Sequence, residues 1–421
     1  MTPRSLHLLL GHQRTLLLQG PMGPFFERLA AMLRAQGQAV WKVNFNGGDD
    51  KFFTGPGIIR FHAPMAAWPH RIRELLAEMN IDAVVLFGQS RQLHAQAIAA
   101  AQEAGISVYV FEEGYIRPDY VTLERGGVNA ESSLPTHADF YRQLEIEPPP
   151  AAQPTGQSFA AMANCAFHYG LAAYLARSKY PHYTHHRSLA PIPEFLRWLR
   201  GDWRKWKHRM LERGDWAALT TADRHKRFFL VPLQVENDSQ IVHHSRYESM
   251  LPFIDDVLES FAARADHGDW LVFKHHPMDR PYNDFTQQIA LAAAKFGLSD
   301  RVRYVHDLHL PTLLKAAKGV VTVNSTTALQ SLFHGTPVVT LGDAFYNVAG
   351  LVQVGDLDRF WTHAGEVDAD LFQRYRAYVI RETQLNASFY ADAPGLSSST
   401  VIKRRDAAPA SSPSEAAQAS A

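Results

Sequence analysis

Apolar residues in the first third of the chain form short runs, which are separated by segments with helical spacing. Four runs have the length of buried strands: residues 14–20, 38–45, 82–87 and 107–111. Three segments between them repeat apolar residues every three or four positions: residues 25–36, 71–79 and 91–104. This alternation, with short loops, predicts a doubly wound parallel sheet over residues 1–140.

The same alternation returns near residue 228. Strand-length apolar runs occupy residues 228–232, 270–274, 302–305, 319–323 and 337–341. Helical patterns occupy residues 247–265, 284–295, 310–318 and 328–334. We therefore predict a second α/β domain over residues 225–396, which makes the fold class α/β with two domains.

Two segments lie outside this rhythm. Residues 141–224 are rich in Arg, His, Tyr, Trp and Pro and show no strand pattern, which predicts a helical insertion or bridge between the domains. Residues 397–421 consist mainly of Ala, Ser and Pro with a few charges. Because such a composition cannot bury a core, we predict a disordered tail.

Length, charge and cysteine content narrow the class of protein. A chain of 421 residues exceeds one ordinary core, and 46% of its residues are hydrophobic. The 42 basic residues balance 42 acidic ones, so no global field favours nucleic acid and we predict no such partner. The single cysteine, Cys165, excludes an intramolecular disulfide framework and fits a reducing compartment.

The amino terminus does not read as a signal peptide. Its two leucine triplets are interrupted by Gly, His, Gln and Arg, so that no continuous apolar region forms. No apolar run approaches the ~20 residues that cross a bilayer. We expect a cytoplasmic protein, or one bound to the inner face of the membrane.

A pair of glutamates follows the fourth predicted strand. Glu112 and Glu113 would point to opposite faces of an extended chain, so only one can face a cleft. Gly114 allows a sharp turn, and the charged residues Arg117 and Asp119 follow. A solvated charged loop is the simpler alternative, but the density of charge favours a functional site.

A basic motif begins at the last residue of the strand predicted at residues 270–274. It consists of Lys274, His275, His276 and Pro277. The proline keeps His276 extended at the strand end, where its imidazole can bind or protonate a phosphate, and Lys274 adds positive charge. Metal binding is a poorer alternative, because no third ligand stands at a recognisable spacing.

Hydroxyl groups cluster between a later strand and helix. Asn324, Ser325, Thr326 and Thr327 would place hydroxyls and free N–H groups at a helix N-terminus, which is a site for anions. A plain N-cap needs only one of these residues. The excess favours phosphate binding.

The amino-terminal turns form the fourth motif. Gln19 and Gly20 end the first strand, and Gly48 and Asp49 follow the second. These turns match neither a P-loop nor a dinucleotide-binding turn. They suit the close approach of an acceptor substrate.

Residues 197–210 mix tryptophan with arginine and lysine. This composition favours an interface with anionic lipid head groups. An exposed basic helix packed through its tryptophans is the alternative that remains open.

Taken together, the motifs resemble the bacterial capsule-polysaccharide Kdo-transferase family of the KpsS and LipB type, related to KpsC. The matching stretches are residues 18–21, 48–49, 111–118, 127–129, 274–277 and 324–327, extended by 335–338 and 342–346. The similarity spans most of residues 14–355.

This resemblance implies a GT-B-like fold, with two Rossmann-like domains facing a cleft. Residues 1–140 would be the acceptor-side domain and residues 225–396 the CMP-sugar-binding domain. The implied donor is CMP-Kdo, and the implied acceptor is a lyso-phosphatidylglycerol-type lipid that receives the first Kdo of a poly-Kdo linker. The implied location is the cytoplasmic side of the inner membrane of a Gram-negative bacterium, with other capsule assembly proteins as further partners.

The resemblance also implies roles for the motifs. The catalytic residues would be Glu113, its neighbour Glu112 and His276, with Glu113 as nucleophile or general base. The KpsC branch resembles this chain but carries Asp at the position of Glu113, which leaves that choice open. CMP would contact Lys274, His275, Pro277, Asn324, Ser325, Thr326 and Thr327. The acceptor cleft would include Gln19, Gly20, Gly48, Asp49, Arg117 and Asp119.

No cofactor or metal is expected, because we identify no Asp-x-Asp motif among the candidate site residues that could hold a divalent ion. Two other functions stay open. The protein could be a non-catalytic capsule export component or scaffold. It could also transfer another CMP-sugar, such as CMP-sialic acid.

Overall fold

The computed structural model describes residues 2–184, 191–221, 225–236 and 239–397. It contains two α/β units, each built on a twisted sheet of mainly parallel strands. This is the predicted GT-B-like architecture of two Rossmann-like domains, joined by a helical insertion. The predicted tail lies, from residue 398 onward, outside the described residues.

The amino-terminal sheet has seven strands in the order β13-β6-β5-β4-β1-β2-β3. Their bounds are Arg14–Leu17 (β1), Ala39–Asn44 (β2), Ile58–Arg60 (β3), Ala83–Phe87 (β4), Ser107–Glu113 (β5), Tyr120–Arg125 (β6) and Gln384–Asn386 (β13). Strands β1 to β5 pair in parallel, whereas β6 pairs antiparallel with β5 and β13. The central strands β1, β4 and β5 are short and mostly buried, as expected where helices cover both faces of a parallel sheet, whereas the edge strand β3 is partly exposed.

Helices cover both faces of this sheet. Their bounds are Arg4–Leu10 (α1), Phe25–Ala35 (α2), Gly47–Phe52 (α3), Trp68–Glu78 (α4), Gln92–Glu103 (α5) and Ala138–Arg142 (α6). Helices α4 and α5 bury their apolar residues against one face, and α1 and α2 against the other. The turn predicted after the second strand is in fact α3, because the Asn46 side chain accepts hydrogen bonds from the N–H groups of Gly48 and Asp49 and so caps a helix.

The carboxyl-terminal sheet has six strands in the order β12-β11-β10-β7-β8-β9. Their bounds are Phe228–Pro232 (β7), Trp270–Lys274 (β8), Val302–Val305 (β9), Gly319–Thr322 (β10), Val338–Thr340 (β11) and Gln353–Val354 (β12). The helices around it are Ser239–His244 (α10), Met250–Arg264 (α11), Thr286–Lys295 (α12), Leu310–Ala316 (α13), Thr327–Phe333 (α14) and Leu357–Thr362 (α15). All five strand pairs are parallel.

The predicted insertion is helical. It contains Phe159–Leu175 (α7), Pro191–Leu211 (α8) and Arg213–Thr220 (α9). Helix α7 packs on α3 of the amino-terminal unit, whereas α9 packs on α13 of the carboxyl-terminal unit. The insertion therefore contacts both domains. Cys165 lies buried within α7, as expected for a small core residue.

The end of the described chain returns to the first domain. Helix α16 (Ala369–Thr383) packs on α1 and α6, and β13 then pairs with β6. The structure therefore differs from the predicted limit of the second domain, which extended to residue 396. Sequence patterns missed this crossing because β13 is only three residues long and its partner β6 lies in a segment that we predicted to be a charged loop.

The two domains share an apolar contact beside the cleft. The rings of Tyr115 and Phe345 stack with their centroids 3.8 Å apart. The buried core on one face of the first sheet continues through these rings into the core of the second. This contact holds the loop that follows β5 against the carboxyl-terminal domain.

Candidate functional site

Both sheets place their polar residues at the carboxyl ends of the strands. The parallel strands of each sheet follow the same order, so the strand order reverses between β1 and β4 in one sheet and between β7 and β10 in the other. Ligands bind at such switch points in open α/β sheets. Gln19 follows β1 and Gln234 follows β7, so a glutamine lies near each switch point.

Glu112 and Glu113 are the last two residues of β5 and are both partly exposed. Their side chains leave opposite faces of the sheet, as predicted. Glu112 Oε1 accepts a hydrogen bond from the Glu113 backbone N–H at 3.0 Å. Glu113 Oε1 accepts one from the Tyr390 hydroxyl at 3.3 Å. A carboxylate with one hydroxyl donor and an open side can act as a base or nucleophile at this edge.

Tyr390 belongs to the segment that returns to the first domain. Burial raises the pKa of its hydroxyl, and the neighbouring carboxylate of Glu113 raises it further. The hydroxyl therefore stays protonated and serves as a hydrogen-bond donor. Sequence analysis missed Tyr390, because 277 residues separate it from Glu113 and no motif surrounds it.

A buried polar cluster supports the turn after the glutamates. The Tyr115 N–H donates to Thr122 Oγ1 at 3.1 Å, and its hydroxyl donates to Glu124 Oε1 at 2.7 Å. Burial raises the pKa of Glu124 to about 7, although hydrogen bonds from Ser132 and Tyr115 oppose this shift. A Cβ at Gly114 would collide with the carbonyl oxygen of Tyr120, which explains the glycine. The cluster fixes Tyr115 and with it the position of the β5 end.

Arg117 is exposed, and its positive charge acts on a histidine of the other domain. Its Nε donates to the Gly114 carbonyl oxygen at 3.2 Å. Its positive charge is the second-largest cause, after burial, of the lowered pKa of His276. The loop that follows the two glutamates therefore lies close to the basic motif of the second domain.

Asp119 is hydrogen-bonded to the insertion. Its Oδ1 accepts hydrogen bonds from both the N–H and the Oγ1 of Thr155, each at 2.8 Å. Its φ is 72°, a conformation that Asp tolerates better than most residues. The geometry shows that Asp119 anchors the start of the insertion, and its place in the acceptor cleft stays a prediction.

His276 lies at the end of the segment that follows β8. Its Nδ1 accepts a hydrogen bond from the Met278 N–H at 3.2 Å, so the proton of the neutral ring is on Nε2. Burial, and then the charges of Arg117 and Lys274, lower the pKa of His276 to about 4. The free protein thus presents a neutral imidazole with a donating Nε2–H, while Pro277 beside it is exposed.

Lys274 and His275 turn inward. Lys274 is 5% exposed, its Nζ donates to the His306 carbonyl oxygen at 3.2 Å, and burial lowers its pKa to about 8. His275 is 1% exposed, its Nδ1 lies 2.6 Å from the Tyr304 hydroxyl, and burial lowers its pKa to about 3. A contact between donor and His275 would require rearrangement, so the predicted role of His275 in donor binding does not fit this geometry. Lys274 can act through its charge.

Three groups behind the basic motif could hold a metal ion. Ligand atoms of His208, Asp284 and His306 all lie within 4.8 Å of one another. The rings of His208 and His306 stack with centroids 3.6 Å apart, and Glu212 Oε1 lies 2.9 Å from His306 Nδ1. Sequence analysis missed this cluster because its members come from α8 and from the loops after β8 and β9.

The hydroxyl cluster lies at the second switch point. Asn324, Ser325, Thr326 and Thr327 are all partly exposed at the end of β10. The Asn324 side chain accepts from Gln234 Nε2 at 3.1 Å and donates to the Gln240 carbonyl oxygen at 2.8 Å. Ser325 Oγ accepts from the Thr327 N–H at 3.2 Å. Gln234, which ties β7 to β10, is a further residue of this edge that the motif analysis overlooked.

The first switch point is filled by the insertion. Gln19 Nε2 donates to Asp49 Oδ2 at 3.2 Å and to the Tyr183 hydroxyl at 2.9 Å. The Tyr169 hydroxyl donates to Asp49 Oδ1 at 3.0 Å. Gln19 and Asp49 are 1% and 5% exposed, so they hold α7 in place. Their predicted contact with an acceptor does not fit this burial.

The two predicted glycines of this region serve packing. A Cβ at Gly48 would lie 2.6 Å from the Tyr169 ring, and one at Gly20 would lie 2.7 Å from the Phe26 ring. Only glycine allows these close approaches. They therefore position α7 and α2.

Comparison with known proteins places the chain in a family. A family profile described as capsule polysaccharide biosynthesis protein matches residues 82–390. This range contains both motif-bearing strands, β5 and β8. The chain belongs to this capsule polysaccharide biosynthesis family.

Two relatives extend this result over most of the chain. The capsule polysaccharide export protein KpsS of Escherichia coli is 38% identical over 390 residues, covering 93% of this chain and 100% of the relative. The capsule polysaccharide modification protein LipB of Neisseria meningitidis serogroup A is 40% identical over 401 residues, covering 91% and 93%. Among solved structures, the β-Kdo 2,7 transferase KpsC of Thermosulfurimonas dismutans is 14% identical, with a TM-score of 0.42 over 87% of this chain and 90% of that one.

The family predicted from the motifs is thus confirmed, and the chain is a capsule polysaccharide biosynthesis or modification protein. Within the described residues, no helix is both long and apolar enough to cross a bilayer. The structure holds the loop after Glu112 and Glu113 against the second domain through the stacked rings of Tyr115 and Phe345, and the charge of Arg117 on that loop acts on His276. It leaves Asn324–Thr327 at the neighbouring strand end. The donor, the acceptor and the expectation that no metal is required stay predictions.

Proposed function

We propose that the chain is a glycosyltransferase that moves Kdo from CMP-Kdo to a lyso-phosphatidylglycerol-type lipid. The product would start the poly-Kdo linker of a capsular polysaccharide. One observation supports this proposal above the others. The ring of Tyr115, which follows the glutamate pair, stacks on Phe345 of the second domain, and Arg117 contributes to the lowered pKa of His276, so we infer that the acidic and the basic motif face each other.

The basic side suits departure of CMP. When the bond from the anomeric carbon to the phosphate oxygen breaks, its electron pair stays on the phosphate. The Nε2–H of His276 donates to that oxygen, and the nearby charges of Lys274 and Arg117 offset the developing negative charge. The partly exposed hydroxyls of Ser325 and Thr326 would bind the CMP phosphate or ribose.

The acidic side suits the sugar and the acceptor hydroxyl. Loss of CMP leaves positive charge at the anomeric carbon, and the Glu113 carboxylate can stabilise or trap it. As general base, Glu113 instead takes the proton of the acceptor hydroxyl that attacks this carbon. The Tyr390 hydroxyl orients the carboxylate in either case. Glu112 contributes negative charge from the other face of β5.

This proposal predicts a protein that works at the cytoplasmic surface of the inner membrane, beside other capsule assembly proteins. A non-catalytic export component would have no use for a carboxylate opposed to a phosphate-binding histidine. The family names of the relatives, export and modification, are compatible with the same position in capsule assembly.

The direct test is a transfer assay. Purified protein is incubated with CMP-Kdo, generated in situ, and a fluorescent lyso-phosphatidylglycerol, and mass spectrometry follows the addition of one Kdo. We expect the parent protein to form this product and the Glu113→Gln variant to form none. If the protein binds CMP but forms no product, and CMP-sialic acid in place of CMP-Kdo also gives none, the proposed donor or the proposed acceptor is wrong. Absence of both CMP binding and product would favour the export scaffold.

A further inference from the structure

Helix α8 carries an apolar face that points away from the protein. Five apolar side chains recur at intervals of three and four residues and are between 44% and 66% exposed: Leu196, Leu199, Trp203, Trp206 and Met210. We refer to these five as the α8 stripe. A surface helix of a globular protein normally turns such a face toward the core. In α8 the arrangement is inverted.

The opposite face of α8 is polar and is held firmly by the second domain. Gly201 and His208 are buried there, and so is Glu212, which directly follows the helix. Glu212 accepts hydrogen bonds from the N–H groups of His306 at 2.6 Å and Asp307 at 3.0 Å. These contacts fix the rotation of the helix, so the stripe cannot turn inward.

Two more contacts fix the middle of the helix. Arg204 Nη1 donates to the carbonyl oxygens of Arg280 at 2.9 Å and Asn283 at 3.1 Å. A Cβ at Gly201 would lie 2.9 Å from the Pro281 ring, so this glycine lets α8 approach that loop. The exposure of the stripe therefore follows from specific packing on its other side.

Basic residues flank the stripe. Within residues 193–211 the described side chains include five exposed basic ones, Arg197, Arg200, Lys205, Lys207 and Arg209, against one exposed acid, Asp202. The Lys207 ammonium lies 5.4 Å from the centroid of the Trp203 ring. Tryptophans and long basic side chains both favour the zone of a bilayer where lipid head groups meet acyl chains, because each combines an apolar part with a polar end.

We propose that the α8 stripe docks the protein onto the surface of an anionic phospholipid bilayer, with the helix lying in the plane of the interface. The apolar side chains would enter the acyl boundary while the flanking charges bind lipid phosphates. Charge decides against a second copy of the chain as the occupant, because two such faces would bring ten exposed basic side chains together.

Docking through α8 would also orient the site. The loop that α8 holds, from Arg280 to Asn283, begins four residues after His276. The basic edge of the cleft would then be held at a fixed height above the bilayer, where a lipid acceptor could be reached without leaving it. This access to a lipid acceptor rests on the proposed function. Bilayer binding itself does not, because it is measured without donor or acceptor.

The test is flotation with vesicles of phosphatidylcholine alone or with phosphatidylglycerol. We expect the protein to float with the anionic vesicles and to be released by high salt. The double variant Trp203→Ser/Trp206→Ser should lower the partition coefficient by about tenfold or more, since apolar burial in the interface is lost. Leu291→Ser, which changes a 64% exposed leucine on α12, is the matched control and should bind as the parent does.

Other outcomes would overturn the inference. Failure to float with anionic vesicles rejects it, as does a double variant that binds like the Leu291→Ser control. If sedimentation shows that the parent protein is a dimer and the double variant a monomer, the stripe instead binds a second copy of the chain. Circular dichroism confirms that the variants are folded. Transfer to an acceptor dissolved in detergent should persist in the double variant, so loss of docking and failure of the proposed reaction are distinguished.

Discussion

The two sheets share one strand order but present opposite chemistry at their carboxyl ends. The amino-terminal edge carries the Glu112–Glu113 pair on β5, two strands away from the β1 end. The carboxyl-terminal edge carries His276 after β8 and the Asn324–Thr327 cluster after β10, directly beside the β7 end. Strand order alone therefore does not determine where a ligand binds.

The difference arises from what occupies each switch point. In the first sheet the insertion fills the crevice, since Tyr169 and Tyr183 are hydrogen-bonded to Gln19 and Asp49. Farther along the edge, at the end of β5, Glu112 and Glu113 are partly exposed. In the second sheet the crevice retains partly exposed hydroxyls. We infer that one domain uses its switch point for the donor, whereas the other uses it to hold the insertion.

Changing the acidic edge should have the largest effect. Glu113→Gln keeps the shape of the side chain and its contact with Tyr390, but removes the base or nucleophile. We expect transfer to fall by about a thousandfold or more. CMP binding, measured by calorimetry, should change little because we assign CMP to the other edge.

Glu112 offers the matched control on the same strand. In Glu112→Gln the Oε1 atom can still accept from the Glu113 N–H. Transfer should therefore fall much less than in Glu113→Gln. Equal losses in the two variants would contradict the assignment of the reacting carboxylate to one face of β5.

The basic edge can be divided in the same way. His276→Ala removes the Nε2–H that we assign to the phosphate, and kcat/KM for the CMP-sugar should fall by about a hundredfold. His275→Ala removes a buried ring that bonds to Tyr304, so it should lower the melting temperature and leave kcat/KM nearly unchanged. If His275→Ala impairs donor use more than His276→Ala, the orientation of the two histidines described above is wrong.

Sequence patterns correctly predicted β5 and β8, the strands that carry the acidic and the basic motif. The two motifs begin at the ends of β5 and β8, directly after apolar runs that reflect the burial of these strands. The patterns missed β6, because Tyr120–Arg125 contains charged residues that the structure buries or places at the sheet edge. Hydrophobic periodicity has no signal for a strand whose buried glutamate is satisfied by hydroxyl donors.

Long-range contacts explain the remaining differences at the site. Gln19, Gly48 and Asp49 were predicted to face an acceptor because their turns contain glycine and polar residues. Their partner Tyr169 lies in α7, which the sequence identifies only as helical insertion. Tyr390 likewise reaches Glu113 through a three-residue strand at the end of the fold. Residue types marked the right region, but the contacts depend on pairings more than 100 residues apart.

A pH experiment tests whether the support of the acidic edge is buried as described. The pKa of Glu124 is raised from its ordinary 4.5 to about 7 by burial. Between these values the folded state holds a proton that the unfolded state has lost, so stability falls as the pH rises through this window. Between about pH 5.5 and about pH 8, the titration of this group should lower the free energy of unfolding by about 2 kcal/mol.

Glu124→Gln removes the titration while keeping an acceptor for Tyr115. Denaturation of the variant should lose this part of the pH dependence, and Glu382→Gln, on the partly buried outer face of α16, serves as a comparison with a smaller effect. An unchanged pH slope in Glu124→Gln would show that Glu124 is ionised in the folded state. The β5 end would then be supported by a charge, which would weaken the contrast between the two edges.

The smallest expected effect concerns the filling of the first switch point. In Gly48→Ala the new Cβ would lie 2.6 Å from the Tyr169 ring, so α7 must shift away from α3. We expect a loss of about 1 to 2 kcal/mol in unfolding free energy, typical of overpacking in a closed core.

Gly170→Ala is the control for this change, because it adds the same methyl group one residue after Tyr169, where no atom lies within 4 Å. Since alanine favours a helix more than glycine does, this variant should be stabilised by up to about 1 kcal/mol. Opposite signs for the two variants, measured by urea denaturation, would show that contact with α3 holds α7 over the crevice. A similar loss in both would mean that α7 is sensitive along its whole length, and the contrast between a filled and an open switch point would then lose its physical basis.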